Sequence, residues 1–335
     1  MKKMLQVLIG CGISLAMLYV VFKDTNLSDL KVGFSQAALW PILPFLLFTA
    51  AHFFFRSLRW RFLLPVSADG GATLRQLFDS LILGSLATFL LPFRLGEFIR
   101  PLVLSRWTKY SFASAFISVI IERFFDLSAV LISFLFVVSL LSGVPEWLHL
   151  AAYSLGAMAV GLLVFLVGGC LFPALVAKIV KIFVAPLPVA LGGWIERFSG
   201  DLLKGAAVIK TPSRLGAIIL LTTGVWLTAY LQFYALLFMF PFENSFILSV
   251  AIGVFVALAI AVPSAPGFVG VFQAGCLAAF TLFKYPEVQG NVYSLIAHGL
   301  TYLVFIVLGF WLLTVHNLSL FELKRAAERG REGVA

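Results

Sequence analysis

Charge is scarce in this chain. Only 12% of its 335 residues are Asp, Glu, Lys or Arg, against about 25% in ordinary soluble domains. With 61% of residues hydrophobic, there is too little polar surface to cover a water-soluble fold of this size. The ten-residue alternating segments of a transmembrane barrel are missing too; the apolar runs are continuous and long enough for helical spans. Cysteine is rare. Cys11, Cys170 and Cys276 fall in separate apolar runs without metal-ligand spacing, which excludes a zinc site and gives a disulfide no support. Nucleophile elbow, Walker loop, paired-histidine metal motif and glycine-rich dinucleotide fingerprint are all absent. The expectation is therefore a non-enzyme with no catalytic residue, cofactor or metal.

What is present reads as an all-α, polytopic helical membrane protein. Full spans are predicted at about 4–22, 40–56, 112–141, 148–172, 215–240 and 291–315, six in all. Two further apolar stretches, 74–107 and 246–283, are interrupted by proline and glycine. Each reads as a re-entrant helical hairpin or, alternatively, as two short spans. Residues 1–335 are expected to form a single transmembrane domain. The first run follows Met1-Lys2-Lys3 and has no small-residue cleavage site after it, so it reads as an uncleaved anchor. Segment 173–214 reads either as a helix on the membrane surface, with Ile195, Phe198 and Leu202 on one face, or as a cytoplasmic loop with helical turns.

The net charge of +9 does not indicate nucleic acid, because the basic residues cluster at the ends of apolar runs. With the N-terminus in the cytoplasm, only Lys23, Lys31 and Lys284 fall outside and Arg123 falls in the membrane. That asymmetry follows the positive-inside rule and places both termini on the cytoplasmic side of the inner membrane. Trp40, Trp60, Trp107, Trp147 and Trp311 are expected at the interfaces, and Trp226 inside the bundle.

The chemistry-bearing stretch is 90–126. Arg94, Glu97, Arg100, Glu122, Arg123 and Asp126 lie in or beside segments apolar enough to enter a bilayer, where one ionised residue costs roughly 2.5–3.5 kcal/mol. Such groups pair or face a wet cavity. Glu122 and Asp126 share a helical face and repel unless a cation intervenes; Arg94 or Arg100 is expected to supply it. The constellation is either an ion-pair lock or a substrate-binding site for a polar or anionic group, since arginine forks suit phosphate. The cluster Arg56-Ser57-Leu58-Arg59-Trp60-Arg61 reads as positive-inside anchoring or as a contact for anionic head groups. His298, near mid-span, reads as a packed neutral histidine.

The two interruptions are alike. Pro92-Phe93-Arg94-Leu95-Gly96-Glu97-Phe98 and Pro266-Gly267-Phe268-Val269-Gly270-Val271-Phe272 both follow P-x-x-x-G-x-F. Pro92, Gly96, Pro263, Pro266, Gly267 and Gly270 are the predicted structural breaks, with Gln273 a polar contact beside the second. By the charge count the two hairpins open to opposite sides, the mark of an inverted-repeat arrangement.

Four segments carry a resemblance: FRSLRWRFLL (55–64), LPFRLGEFIRPLVLSR (91–106), IERFFDL (121–127) and PSAPGFVGVFQAG (263–275). In order and over almost the whole chain, they resemble the lysylphosphatidylglycerol synthase transmembrane-region family of flippase-like membrane proteins. The resemblance implies a helical bundle with re-entrant elements that moves or handles lipids or lipid-linked intermediates. Arg94, Gly96, Glu97, Arg100, Glu122, Arg123 and Asp126 match its motif positions. The last motif departs from the family pattern P-x-P-G-G-x-G with a following glutamate: Phe268 stands for the second glycine and Gln273 for the acid. The soluble aminoacyl-transferase segment of the synthase is absent, so lysyl transfer is not implied. The expected function is a flippase-like protein whose partner is a membrane lipid or lipid-linked substrate. The alternative is an accessory subunit that presents lipid to a separate enzyme. A membrane enzyme using Glu122 and Asp126 is a third reading, weakly supported by helical spacing alone.

Overall fold

A computed structural model describes residues 2–66, 71–141, 145–205, 209–241 and 244–332. The described residues are helical, with no strand among them. The helices are α1 (Lys2–Phe22), α2 (Leu27–Gln36), α3 (Ile42–Leu63), α4 (Leu74–Leu90), α5 (Gly96–Trp107), α6 (Phe112–Leu140), α7 (Glu146–Leu171), α8 (Pro173–Val184), α9 (Val189–Gly205), α10 (Pro212–Leu237), α11 (Phe246–Ala261), α12 (Val271–Leu282), α13 (Glu287–Val315) and α14 (Leu320–Glu332). Starts follow local chemistry. Ser111 and Ser245 cap α6 and α11 by accepting the Ser114 and Leu248 amides, and Pro173 and Pro212 open α8 and α10 where no amide donor is needed.

Five helices are long and apolar enough to cross a membrane: α3, α6, α7, α10 and α13. A sixth span results if α1 and α2, bent by 79° at their break, count as one. The chain is a polytopic helical membrane protein, as the composition requires. The predicted spans correspond to these helices, with one consequential difference: α3 continues to Leu63, not to Arg56. Charged residues mark a span's end only when they face water, and Arg59 does not (below). Trp60, expected at an interface, is likewise fully buried, and its indole donates to Ser118 Oγ at 2.9 Å. Trp40, Trp147 and Trp311 are exposed, as an aromatic belt requires.

The contacts group into two compact units. The first comprises 1–54, 78–100 and 225–335. In it α11 folds back on α12, and α13 and α1 pack on α12. Asn291 of α13, buried, ties down the end of α1 by donating to the Val21 carbonyl at 3.0 Å and Thr25 Oγ1 at 2.7 Å. The first helix is thus a packed part of this unit. The second unit comprises 55–77 and 101–224. Its frame is the antiparallel pair α6 and α7, and α9 packs against both. Segment 173–214 forms two main helices, α8 and α9, rather than one. On α8, Leu175, Ile179, Ile182 and Phe183 are exposed while Val176 and Val184 are buried.

Candidate functional site

Both interruptions are real breaks of helix, and they share two features, although only the second also has positive φ at its glycines, Gly267 and Gly270. Each begins with a three-residue 3-10 turn opened by proline, Pro92–Arg94 and Pro266–Phe268. In each, the third residue has a positive φ, Arg94 at 52° and Phe268 at 62°. That region costs a non-glycine residue roughly 1–2 kcal/mol. The position where the family pattern has a second glycine is therefore one where glycine would be unstrained, and Phe268 occupies it at a cost. Contacts offset that cost. The Arg94 guanidinium lies over the Phe268 ring, 5.5 Å from its centroid, and Phe89 meets the same ring edge-on at 5.8 Å. The two turns touch each other within the first unit.

Each break is a tight fold-back. A Cβ on Gly96 would fall within 1.9 Å of the Gly84 carbonyl oxygen and 2.1 Å of Thr88 Oγ1, so only glycine lets the start of α5 lie against α4. In the second hairpin Gly275 of α12 meets the backbone of α11 at Phe255 and Val256 in the same way. Helix α1 closes over the second break. The Ala265 amide donates to Ser14 Oγ at 2.9 Å, and Gly10 packs on the Ser264 carbonyl. Between α1 and the two turns lies a cavity of about 520 Å³, lined by Thr88, Pro92, Arg94, Pro263, Ser264, Pro266, Gly267 and Phe268 among others.

Gln273 and His298 hold the second break in shape. Gln273 Oε1 accepts the Gly270 amide at 2.8 Å, so its amide nitrogen faces His298 Nδ1 at 2.9 Å and donates to it. That leaves His298 Nε2 to donate to the Gly267 carbonyl at 2.8 Å. The chain of bonds assigns the neutral Nε2–H tautomer. Phe272 stacks on the imidazole at 4.4 Å. A glutamate at 273, as in the family pattern, could not donate to that nitrogen; glutamine can accept and donate at once. Glu97 is half-buried in the first turn of α5, where a carboxylate suits the helix dipole.

The buried ion cluster belongs to the second unit. Asp126 is the middle residue of α6, and Glu122 lies one turn before it. Three guanidinium groups converge on Glu122 Oε1: Arg123 Nη2 at 2.7 Å, Arg59 Nη2 at 3.2 Å and Arg56 Nη2 at 3.3 Å. Asp126 takes Arg59 Nη1 at 2.6 Å and Arg123 Nη2 at 3.2 Å. Arg59 Nη1 also donates to Thr222 Oγ1 at 3.2 Å. Arg59 and Glu122 are 0% exposed, Asp126 14%, Arg56 20% and Arg123 42%. Three guanidinium groups and two carboxylates meet here, and Arg123 is the most exposed of the five.

So the structure brings Glu122, Arg123 and Asp126 together and adds Arg56 and Arg59, which reading the charges as a span terminus missed. A signal was present. Arg56 and Arg59 are three apart on one helical face, and Glu122 and Asp126 required a cation between them. Arg94 and Arg100 belong to the other unit, Arg94 lining the cavity and Arg100 buried in α5; their expected pairing with the acids of α6 is carried forward as a prediction. Among the described residues no group of three His, Cys, Asp or Glu could hold a metal ion.

A family model described as the lysylphosphatidylglycerol synthase TM region matches residues 7–309. No curated protein and no solved structure matches the chain.

Proposed function

The chain belongs to the lysylphosphatidylglycerol synthase TM region family, a family of lipid-handling membrane proteins, and from that premise we propose that it is a flippase-like protein that moves the head group of a lipid or lipid-linked intermediate across the inner membrane. The observation that carries this reading is the cluster on α6: a buried arginine–carboxylate network within a long apolar helix, with one partly exposed arginine, Arg123. A partly exposed arginine near the middle of a long apolar helix suits a passing anionic or polar head group, which arginine can grip with two parallel bonds.

The paired breaks support the same reading. Two proline- and glycine-interrupted apolar segments in one protein are a sequence sign of a transporter built from repeats, and we read 74–107 and 246–283 as re-entrant hairpins of opposite orientation. The charge asymmetry supports cytoplasmic termini.

Reconstitution of the purified protein in liposomes carrying fluorescent lipid probes tests the proposal. Wild-type protein is expected to expose inner-leaflet probe to an external quencher, and Arg123→Gln, compared at equal folded fraction, to slow this by about tenfold or more, the loss of one charge-assisted contact. Wild-type rates from Arg123→Gln, or no translocation of any lipid probe by folded wild-type protein, would overturn it.

A further inference from the structure

A second basic feature lies in the same unit as the ion cluster but uses other residues. Where α3 ends and α10 begins there is a recess of about 210 Å³, lined by Arg61, Leu64, Val66, Ala72, Tyr110 and Arg214 among others. Its wall is firmly built. The Tyr110 hydroxyl donates to the Pro65 carbonyl at 2.9 Å, and Arg214 Nη1 reaches the Leu64 carbonyl at 3.5 Å. Gly71, at φ 68°, passes so close that a Cβ there would stand 3.0 Å from the Tyr110 oxygen. Arg61 is exposed and Arg214 half-buried, and among the described residues no carboxylate pairs with either.

Both guanidinium groups act on the same spot. Burial raises the pKa of the Tyr110 phenol, and the charges of Arg214 and Arg61 pull against that rise. Two cations at one small recess, with no acid among the described residues that line it, repel unless an anion joins them. The recess holds several water volumes of about 30 Å³ each, room for a phosphate and its first attached carbons. Leu64 and Val66 supply apolar wall for those carbons.

We propose that this recess is a phosphate-binding site, with the phosphate gripped between Arg61 and Arg214. The chemistry fits a phosphate on a lipid head group or a free phosphate, and the charge count puts the site on the cytoplasmic side. It does not depend on the translocation reading, because none of its lining residues belongs to the cluster on α6.

The test uses the full-length protein in neutral-lipid nanodiscs. Retention of phosphatidic acid, with phosphatidylcholine as control, is counted by native mass spectrometry; protection against heating by inorganic phosphate is measured alongside. Wild-type protein is expected to retain phosphatidic acid about tenfold more tightly than Arg61→Gln or Arg214→Gln, the worth of one charge-assisted contact. Arg61 is exposed, so its variant serves as the folded reference. Protection by inorganic phosphate that is lost in the Arg61→Gln/Arg214→Gln protein assigns the site to free phosphate; lipid retention without such protection assigns it to a head group. Equal lipid retention and equal phosphate response in wild type and double variant would overturn the proposal.

Discussion

At the scale of single residues, the energetics centre on Glu122. It is fully buried and accepts from three arginines through one oxygen. Glu122→Gln is expected to cost about 3–5 kcal/mol, the usual effect of stranding the partners of a buried charge, read as a lowered midpoint in thermal or SDS-induced unfolding. Adding Arg56→Gln should restore part of that stability, because one of the cations stranded by the first substitution is removed. Recovery of transport together with stability would identify a lock; a folded but inactive double variant would identify a head-group site. Adding Arg100→Gln instead tests whether α5 reaches the same acids, and no recovery there would refute that expectation. A second residue-scale case is the pair Gln273 and His298. Removing either leaves a buried donor or acceptor unmatched, at roughly 1–3 kcal/mol. Because the two act in one chain of bonds, Gln273→Ala and His298→Ala are expected to be non-additive: the double variant should cost little more than the worse single. Simple additivity in an unfolding titration would show that the network is not a unit.

At the scale of elements, the hairpins depend on how closely their two helices approach. Gly96→Ala would drive a methyl group into the Gly84 carbonyl and Thr88. Forced overpacking of this kind typically costs about 1–3 kcal/mol, and here the strain acts on the turn that carries Arg94. We expect Gly96→Ala to lower stability and to impair transport beyond what the stability loss explains, while Gly216→Ala, with open space around its Cβ position, changes neither. Wild-type behaviour of Gly96→Ala would mean that the fold-back of α4 and α5 is looser than the geometry requires. Elements also explain a misreading. A stop at Arg56 is the natural place to end a span if arginine must face water, yet α3 runs a further two turns because Arg59 finds Asp126 and Thr222.

At the scale of the whole molecule, the prediction concerns sidedness. From the distribution of basic residues we expect position 61 in the cytoplasm and position 146 outside. In a background without native cysteines, single cysteines at Arg61 and Glu146 should be labelled by a membrane-impermeant reagent from opposite faces. Labelling of both from one face would sink the topology and, with it, the opposite orientation assigned to the hairpins.

Hydropathy is a sum over local composition, so the sequence by itself determined that this is a helical membrane protein, where its long spans run, and that proline and glycine interrupt two apolar stretches at 92–96 and 263–270. Glycine and proline act on their own backbone, so those breaks were legible without any tertiary contact. The partners of the charges were another matter. Glu122 and Asp126 announced a need for cations, but which arginines answered depended on how α3 and α6 pack, and Arg59 became a buried ligand rather than a membrane anchor. The same holds for Gln273 and His298, twenty-five positions apart and joined only when α12 lies on α13. Pairing in a low-dielectric interior is a property of distance between elements, and sequence spacing sets that distance only within one helix.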